Sequence, residues 1–129
     1  MTIARRSAAA LVAALALVAS SQFVRAEGDK VRVDGIGAAQ CSEITAGFQT
    51  QASPVANQLV GWAFGYMTRR NVERGLAGQS QVNFSSAGVT QEKLVTIILG
   101  YCEKDPSTRI YQIVDALYEV LLEKGSLTS

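Results

Sequence analysis

The 129-residue chain contains no histidine, two cysteines, two prolines and a single tryptophan. Each scarcity closes off some chemistry. Without histidine, the commonest general base, the usual zinc ligand and every Ser/His or Cys/His nucleophile pair are missing. If the two cysteines pair with each other, no thiolate is left for catalysis or metal binding. Long apolar runs are scarce as well: the run from Ala8 to Ala19 stops at about twelve residues, short of the roughly 20 that a membrane span requires. A phosphate-cradling loop is absent too. Gly35 and Gly37 lack a preceding core strand and a third glycine, and Gln40 and Cys41 stand where a dinucleotide-binding helix should open. The carboxylates Glu103, Asp105, Asp115, Glu119 and Glu123 are spaced as on solvated helix faces, which does not suit a glycosidase pair. We therefore expect no enzymatic activity, no cofactor and no metal site.

What is present begins with an export address. Arg5 and Arg6 precede the alanine-rich run, and Val24, Arg25 and Ala26 form a small-x-small cleavage site. Residues 1–26 read as a secretory signal peptide of bacterial type, cleaved before Glu27, which directs the protein to the periplasm. Arg5, Arg6 and Arg25 belong to this leader, so the remainder carries nine basic groups against eleven acidic ones, a net charge of −2. Such a balance argues against nucleic acid or an anionic membrane as partner. An oxidising compartment makes a disulfide between Cys41 and Cys102 the expected state. Closing a loop of about 60 residues contributes on the order of 4 kcal/mol in the chain-entropy account.

The rest reads as one small all-α domain over residues 41–125, after an extended or mobile lead-in over 27–40 and before a short tail, 126–129. Three main helices and a short N-terminal one are expected. Cys41 to Ala46 suit a helical turn interrupted by Gly47, and Phe48 in its polar surroundings suits a plug on the core. Ser53 and Pro54 then signal a cap followed by a first-turn proline, opening a helix to about Val72. Thr90 caps another helix, in which Leu94, Ile97, Ile98, Tyr101 and Cys102 share a face. Asp105 with Pro106 is expected to repeat the cap-plus-proline signal, starting a last helix with Ile110, Ile113, Val114, Leu117 and Leu121 on one side and Gly125 as its stop.

The second helix is apolar nearly all round. Val55, Leu59, Trp62, Ala63 and Tyr66 form one face, and Val60, Phe64 and Met67 another. Such a helix is either central in its fold or uses its second face against a partner. Gly61 and Gly65, four apart, would let another helix approach closely. Arg69, Arg70 and Arg74 with Glu73 suit a solvated C-terminal turn, with an anion-binding cluster as the alternative. From Gly75 to Gly88 a polar stretch anchored by Leu76, Val82 and Phe84 reads as a long surface loop, with a short extended piece at Gln81 to Phe84.

Two segments carry a family resemblance. LGYCEKDPSTRIYQIV, from Leu99 to Val114, and CSEITAGFQTQASPVANQLVGWAFGYM, from Cys41 to Met67, resemble the small periplasmic acid-stress chaperones HdeA and HdeB. The shared features are a cysteine opening a short helix, a proline about a dozen residues later, an apolar helix with Trp62, Gly65 and Tyr66, and a Tyr101, Cys102, Pro106 junction. The resemblance implies an all-helical homodimer at neutral pH that loosens in acid and holds unfolded periplasmic proteins without ATP. Within it, Val60, Trp62, Phe64 and Met67 are the expected client or dimer surface, and Cys41 with Cys102 the staple. The same motif residues are similar to those of the Rap/Tai immunity proteins, which implies instead a specific protein partner, a secreted effector neutralised by the loop or an acidic face.

Overall fold

The computed structural model describes residues 32–50 and 53–126. Residues 1–26, expected to be a signal peptide, residues 27–31 of the expected lead-in and residues 127–129 of the tail lie outside the described residues. The fold is all-α: a four-residue 3-10 turn, Gly35–Ala38, is followed by α1 (Cys41–Gly47), α2 (Pro54–Leu76), α3 (Gln91–Lys104) and α4 (Ile110–Lys124). Among the described residues no helix is long and apolar enough to cross a membrane.

Local chemistry explains most boundaries. The Ser53 hydroxyl accepts from the Ala56 amide at 3.2 Å and Pro54 opens α2, while Thr90 Oγ1 accepts from the Lys93 amide at 3.2 Å. Each cap satisfies one of the orphan donors of its helix. Gly125, at φ 70°, ends α4 in the left-handed region. The second helix runs four residues beyond the expected Val72. The Arg69–Glu73 pair, 2.7 Å apart at i and i+4, supports that last turn. Its stop is then made by Gly78 at φ 69°, with Gly78 N–H donating to Gly75 O and Gln79 N–H to Arg74 O, the paired bonds of a Schellman motif.

The core joins Leu59, Ala63 and Met67 of α2 to Leu94, Ile98 and Cys102 of α3 and to Ile110, Ile113, Val114, Leu117, Tyr118 and Leu121 of α4. The Cys41–Cys102 disulfide is formed and links α1 to the end of α3. Backbone hydrogen bonds reinforce this corner. The amides of Cys41 and Ser42 donate to the carbonyls of Thr108 and Pro106 at 2.8 and 3.0 Å, and the Ile110 amide donates to Ala39 O at 3.1 Å. The α3–α4 junction thus supplies acceptors to the N-terminal amides of α1, which have no partners within their own helix.

That junction departs from the expected cap-plus-proline start. Asp105 closes α3, and α4 begins only at Ile110, with Arg109 before it and Gln112 Oε1 accepting from the Arg109 amide at 3.0 Å. Asp105 Oδ1 accepts instead from the Ser107 hydroxyl at 2.6 Å and the Ser107 amide at 3.0 Å, and Thr108 N–H donates to Asp105 O. Pro106 therefore sits at the second position of a turn, where its fixed φ is equally suited. The physical reason is the docking of α1: the Pro106 and Thr108 carbonyls face its amides only if the chain reverses before it coils again. The Ser107 hydroxyl, the Thr108 side chain and the Ser107 amide together hold the Asp105 carboxyl below its usual range. The stability this group contributes is present in full above its unfolded value of about 3.9 and fades as pH falls through the lower folded value.

The lead-in also departs from expectation. Gly35–Ala38 are folded against α2 and α4, with Ile36 and Ala39 packed on the core. Glycine is the reason: Gly35 adopts φ 72°, and Gly37 passes so close to Trp62 that a Cβ there would lie 1.9 Å from Cζ2. Where a short extended piece was expected at Gln81 to Phe84, residues 81–83 form neither helix nor turn, Val82 is buried and Phe84 begins a turn.

Replacing Cys41 and Cys102 together by alanine is expected to remove on the order of 4 kcal/mol, lowering the thermal midpoint by roughly 20 °C for a domain of this size. Calorimetry of oxidised and reduced protein checks this, and equal midpoints would overturn it.

Candidate functional site

The helix α2 is the site to build from, because α3, α4 and the 3-10 turn all pack on it. At 3.6 residues per turn, the two apolar faces expected from sequence are adjacent and merge into one arc of roughly 200°. Its centre is buried: Ala63 and Met67 are fully covered and Val60 is 9% exposed. Its edges are half-buried, with Trp62 and Tyr66 along one side and Phe64 along the other. The four residues expected to form a client or dimer surface are thus divided. Val60 and Met67 lie inside, whereas Trp62 and Phe64 flank the core on opposite sides, so in this state the structure does not bring them together on one exposed patch.

The Trp62 edge is aromatic and charged. Trp62 stacks on Tyr66, ring centroids 5.3 Å apart and planes inclined by 20°. One turn further along α2, Arg70 reaches across to α4 and pairs with both Asp115 and Glu119. Its guanidinium also lies 4.7 Å above the Tyr118 ring. The Tyr66 hydroxyl donates to Asp115 Oδ1 at 2.9 Å. Burial, followed by the hydrogen bond to Asp115, pushes the Tyr66 phenol above its ordinary value, so it remains a donor throughout the neutral range. Burial opposes the charge on Arg70, but the bonds to Glu119 and Tyr66 outweigh it and raise its pKa. This is a charged clasp between α2 and α4.

The expected group of three arginines is dispersed. Arg69 pairs with Glu73 on the surface, Arg70 turns to α4, and Arg74 Nε donates to Ser80 O at 2.6 Å. They do not form an anion-binding cluster. Asp115 and Glu119, read from sequence as solvated, are the partners of Arg70.

The opposite edge holds the loop. Phe84 meets Phe64 edge-on, centroids 6.0 Å apart, and Asn71 binds the backbone of Val82 through both its side-chain atoms. Asn71 Nδ2 donates to Val82 O at 2.8 Å, and Oδ1 accepts from Val82 N–H at 2.9 Å. The same oxygen accepts from the Tyr118 hydroxyl at 2.7 Å. One side chain therefore fixes the loop to α2 and satisfies the polar tip of a fully buried tyrosine. The sequence reading missed both residues. The available signals were an asparagine inside a helix, where its intrinsic propensity is poor, and a tyrosine four residues after Val114 on the core face of α4.

The solvent side of α2 carries Gly61, Gly65, Val72 and Leu76. No side chain or neighbouring helix lies within 4 Å of a Cβ placed at either glycine, and Val72 and Leu76 are 50% and 86% exposed. Close approach of a second helix at Gly61 and Gly65 does not occur within the described residues.

The carboxylates of the clasp are engaged by Arg70, and both cysteines are oxidised. Comparison with family models, curated proteins and solved structures gave no match.

Substituting Asn71 by alanine leaves the Val82 amide and carbonyl and the Tyr118 hydroxyl without partners. At about 1–3 kcal/mol for each unsatisfied buried group, partly recovered by water, a loss of about 3 kcal/mol is expected in denaturant unfolding. Hydrogen exchange of the Val82 amide should accelerate with it, and a loss below about 0.5 kcal/mol would contradict the anchoring role.

Proposed function

We propose that the protein is an acid-stress chaperone similar to HdeA and HdeB, exported to the periplasm, where it holds unfolded proteins without ATP. The observation that carries this reading is the clasp of Arg70 with Asp115 and Glu119 across the widest apolar helix of the domain. Carboxylates as a class titrate near pH 4. Any loss of charge in the clasp weakens the junction of α2 with α4 by about 1 kcal/mol, the scale of a partly exposed ion pair. Global charge acts in the same sense. With the leader removed, full protonation takes the side-chain charge from −2 towards +9, and self-repulsion opposes a compact or dimeric state. The apolar surface released comprises Val60, Trp62, Phe64 and Met67, brought into use by opening rather than by exposure in the closed domain.

A second reading is favoured by one observation. The polar loop between α2 and α3 is pinned by Asn71, and a held loop suits recognition of a single structured partner, as in the Rap/Tai immunity proteins. On this reading the partner is a secreted effector.

Sedimentation velocity at pH 7 and pH 3, with aggregation of an acid-denatured client followed on the same samples, separates the two. The chaperone reading expects loosening or dissociation below about pH 5 together with new holding activity. An unchanged particle with no holding activity at pH 3 would overturn it.

The clasp makes its own prediction. Arg70→Met is expected to cost about 1 kcal/mol at pH 7, the scale of a partly exposed ion pair. A cost below about 0.2 kcal/mol in urea unfolding would show that the pairs do not hold α2 to α4.

A further inference from the structure

The 3-10 turn Gly35–Ala38 covers the one tryptophan of the chain in a manner unlike the packing of the helices. Contact with Trp62 is made by backbone: Gly37 lies directly against the indole, and Gly35 is 3.9 Å from Cδ1 by its would-be Cβ. Ile36 is the turn's only sizeable side chain, half-buried against the core. The turn has no side-chain cap. Its outer edge is held by Arg109, whose guanidinium donates to Ala38 O, and by the Ile110 amide, which donates to Ala39 O at 3.1 Å. Beside it opens a cavity of about 260 Å³ bordered by Arg32, Val33, Ala38, Arg109 and Tyr111. The turn is therefore small, incompletely surrounded, and secured at one end by the disulfide three residues beyond it.

The surface beneath is better built than its cover. Trp62 is stacked on Tyr66, and Tyr66 is fixed by Asp115. Arg109 and the Ile110 amide present donors along one rim. Such a site fits a short stretch of polypeptide with an aliphatic side chain for the recess and a glycine immediately after it to lie on the indole, its carbonyls facing the rim.

We propose that Gly35–Ala38 occupies this site as an internal substitute for a client, and that the Trp62 platform binds an aliphatic-glycine segment of an unfolded chain when the turn swings away. The proposal rests on the chaperone reading and deepens it by naming the first docking point and the residues that cover it. Covering by a tethered segment lowers apparent affinity by the fraction of molecules that are open, so loosening the turn must tighten binding.

Trp62 reports the result without a label. Gly37→Val places a branched side chain where the indole stands, and Ile36→Ser weakens the turn with no steric conflict. Each is compared with the unaltered protein at pH 7 by acrylamide quenching of Trp62, by circular dichroism, and by fluorescence anisotropy of a labelled peptide with the sequence of Val33 to Gln40. Both variants are expected to retain their helix content, to quench about twofold more readily, and to bind the peptide about tenfold more tightly than the unaltered protein. A peptide carrying valine in place of its second glycine should not bind. If Gly37→Val fails to fold, Ile36→Ser alone decides. Unchanged quenching in a folded variant would overturn the covering role, and exposed Trp62 without tighter peptide binding would overturn the docking role. All three measurements are made at neutral pH, so a protein that binds the peptide but holds no client in acid disproves the chaperone reading separately.

Discussion

One covalent bond at one corner sets the arrangement of everything else. Cys41 and Cys102 stand at the start of α1 and the end of α3, separated by 61 positions in sequence, and the bond brings α1 against the α3–α4 junction. There its first amides find the carbonyls of Pro106 and Thr108. A seven-residue helix is too short to persist on its own. It persists here because its free donors and its first side chain are both committed to the same few residues of another segment. The turn of Asp105 and the late start of α4 follow from that commitment.

Around this corner α2 acts as an axle with two differently made edges. Toward α4 it is joined by charge, through Arg70, and by the Tyr66 hydroxyl. Toward the loop it is joined by neutral hydrogen bonds of Asn71 and by an edge-on aromatic pair. The Asn71 oxygen that holds the loop also accepts from Tyr118 of α4, so the neutral edge ties the loop, α2 and α4 together independently of the ion pairs. The outer surface, with Gly61 and Gly65 facing solvent at a propensity cost of roughly 1 kcal/mol each, takes no part in either edge.

Much of this architecture was legible because it depends on short-range chemistry. Ser53 with Pro54, Thr90 and Gly125 act on amides and carbonyls within a turn of themselves, and they marked their boundaries correctly. Asp105 with Pro106 shows the same residue types used differently, because a turn and a helix start satisfy equal numbers of local bonds and only the distant amides of Cys41 and Ser42 decide between them. The clasp and the Asn71 anchor were illegible for a related reason. Arg70 is more than forty residues from Asp115 and Glu119, and each has a plausible solvated reading alone. Val60, Trp62, Phe64 and Met67 were legible as apolar, but spacing places them on an arc without saying which part of that arc meets a neighbour, and Val60 and Met67 turn out to lie inside.

The position of the disulfide also determines how the domain carries mechanical load. Tension applied at Arg32 runs along the backbone through the 3-10 turn and reaches Cys41, where the sulfur bridge passes it to Cys102 at the far end of α3. The bonds that break first are those of Ala38 and Ala39 to Arg109 and Ile110, loaded one after another like a zipper and so at low force. Beyond Cys41, the sixty residues up to Cys102 are shielded from the pull, and α2 lies wholly within that shielded loop. A tug on the amino-terminal end can therefore uncover Trp62 and spend itself there, while the helix that carries Trp62 is never stretched.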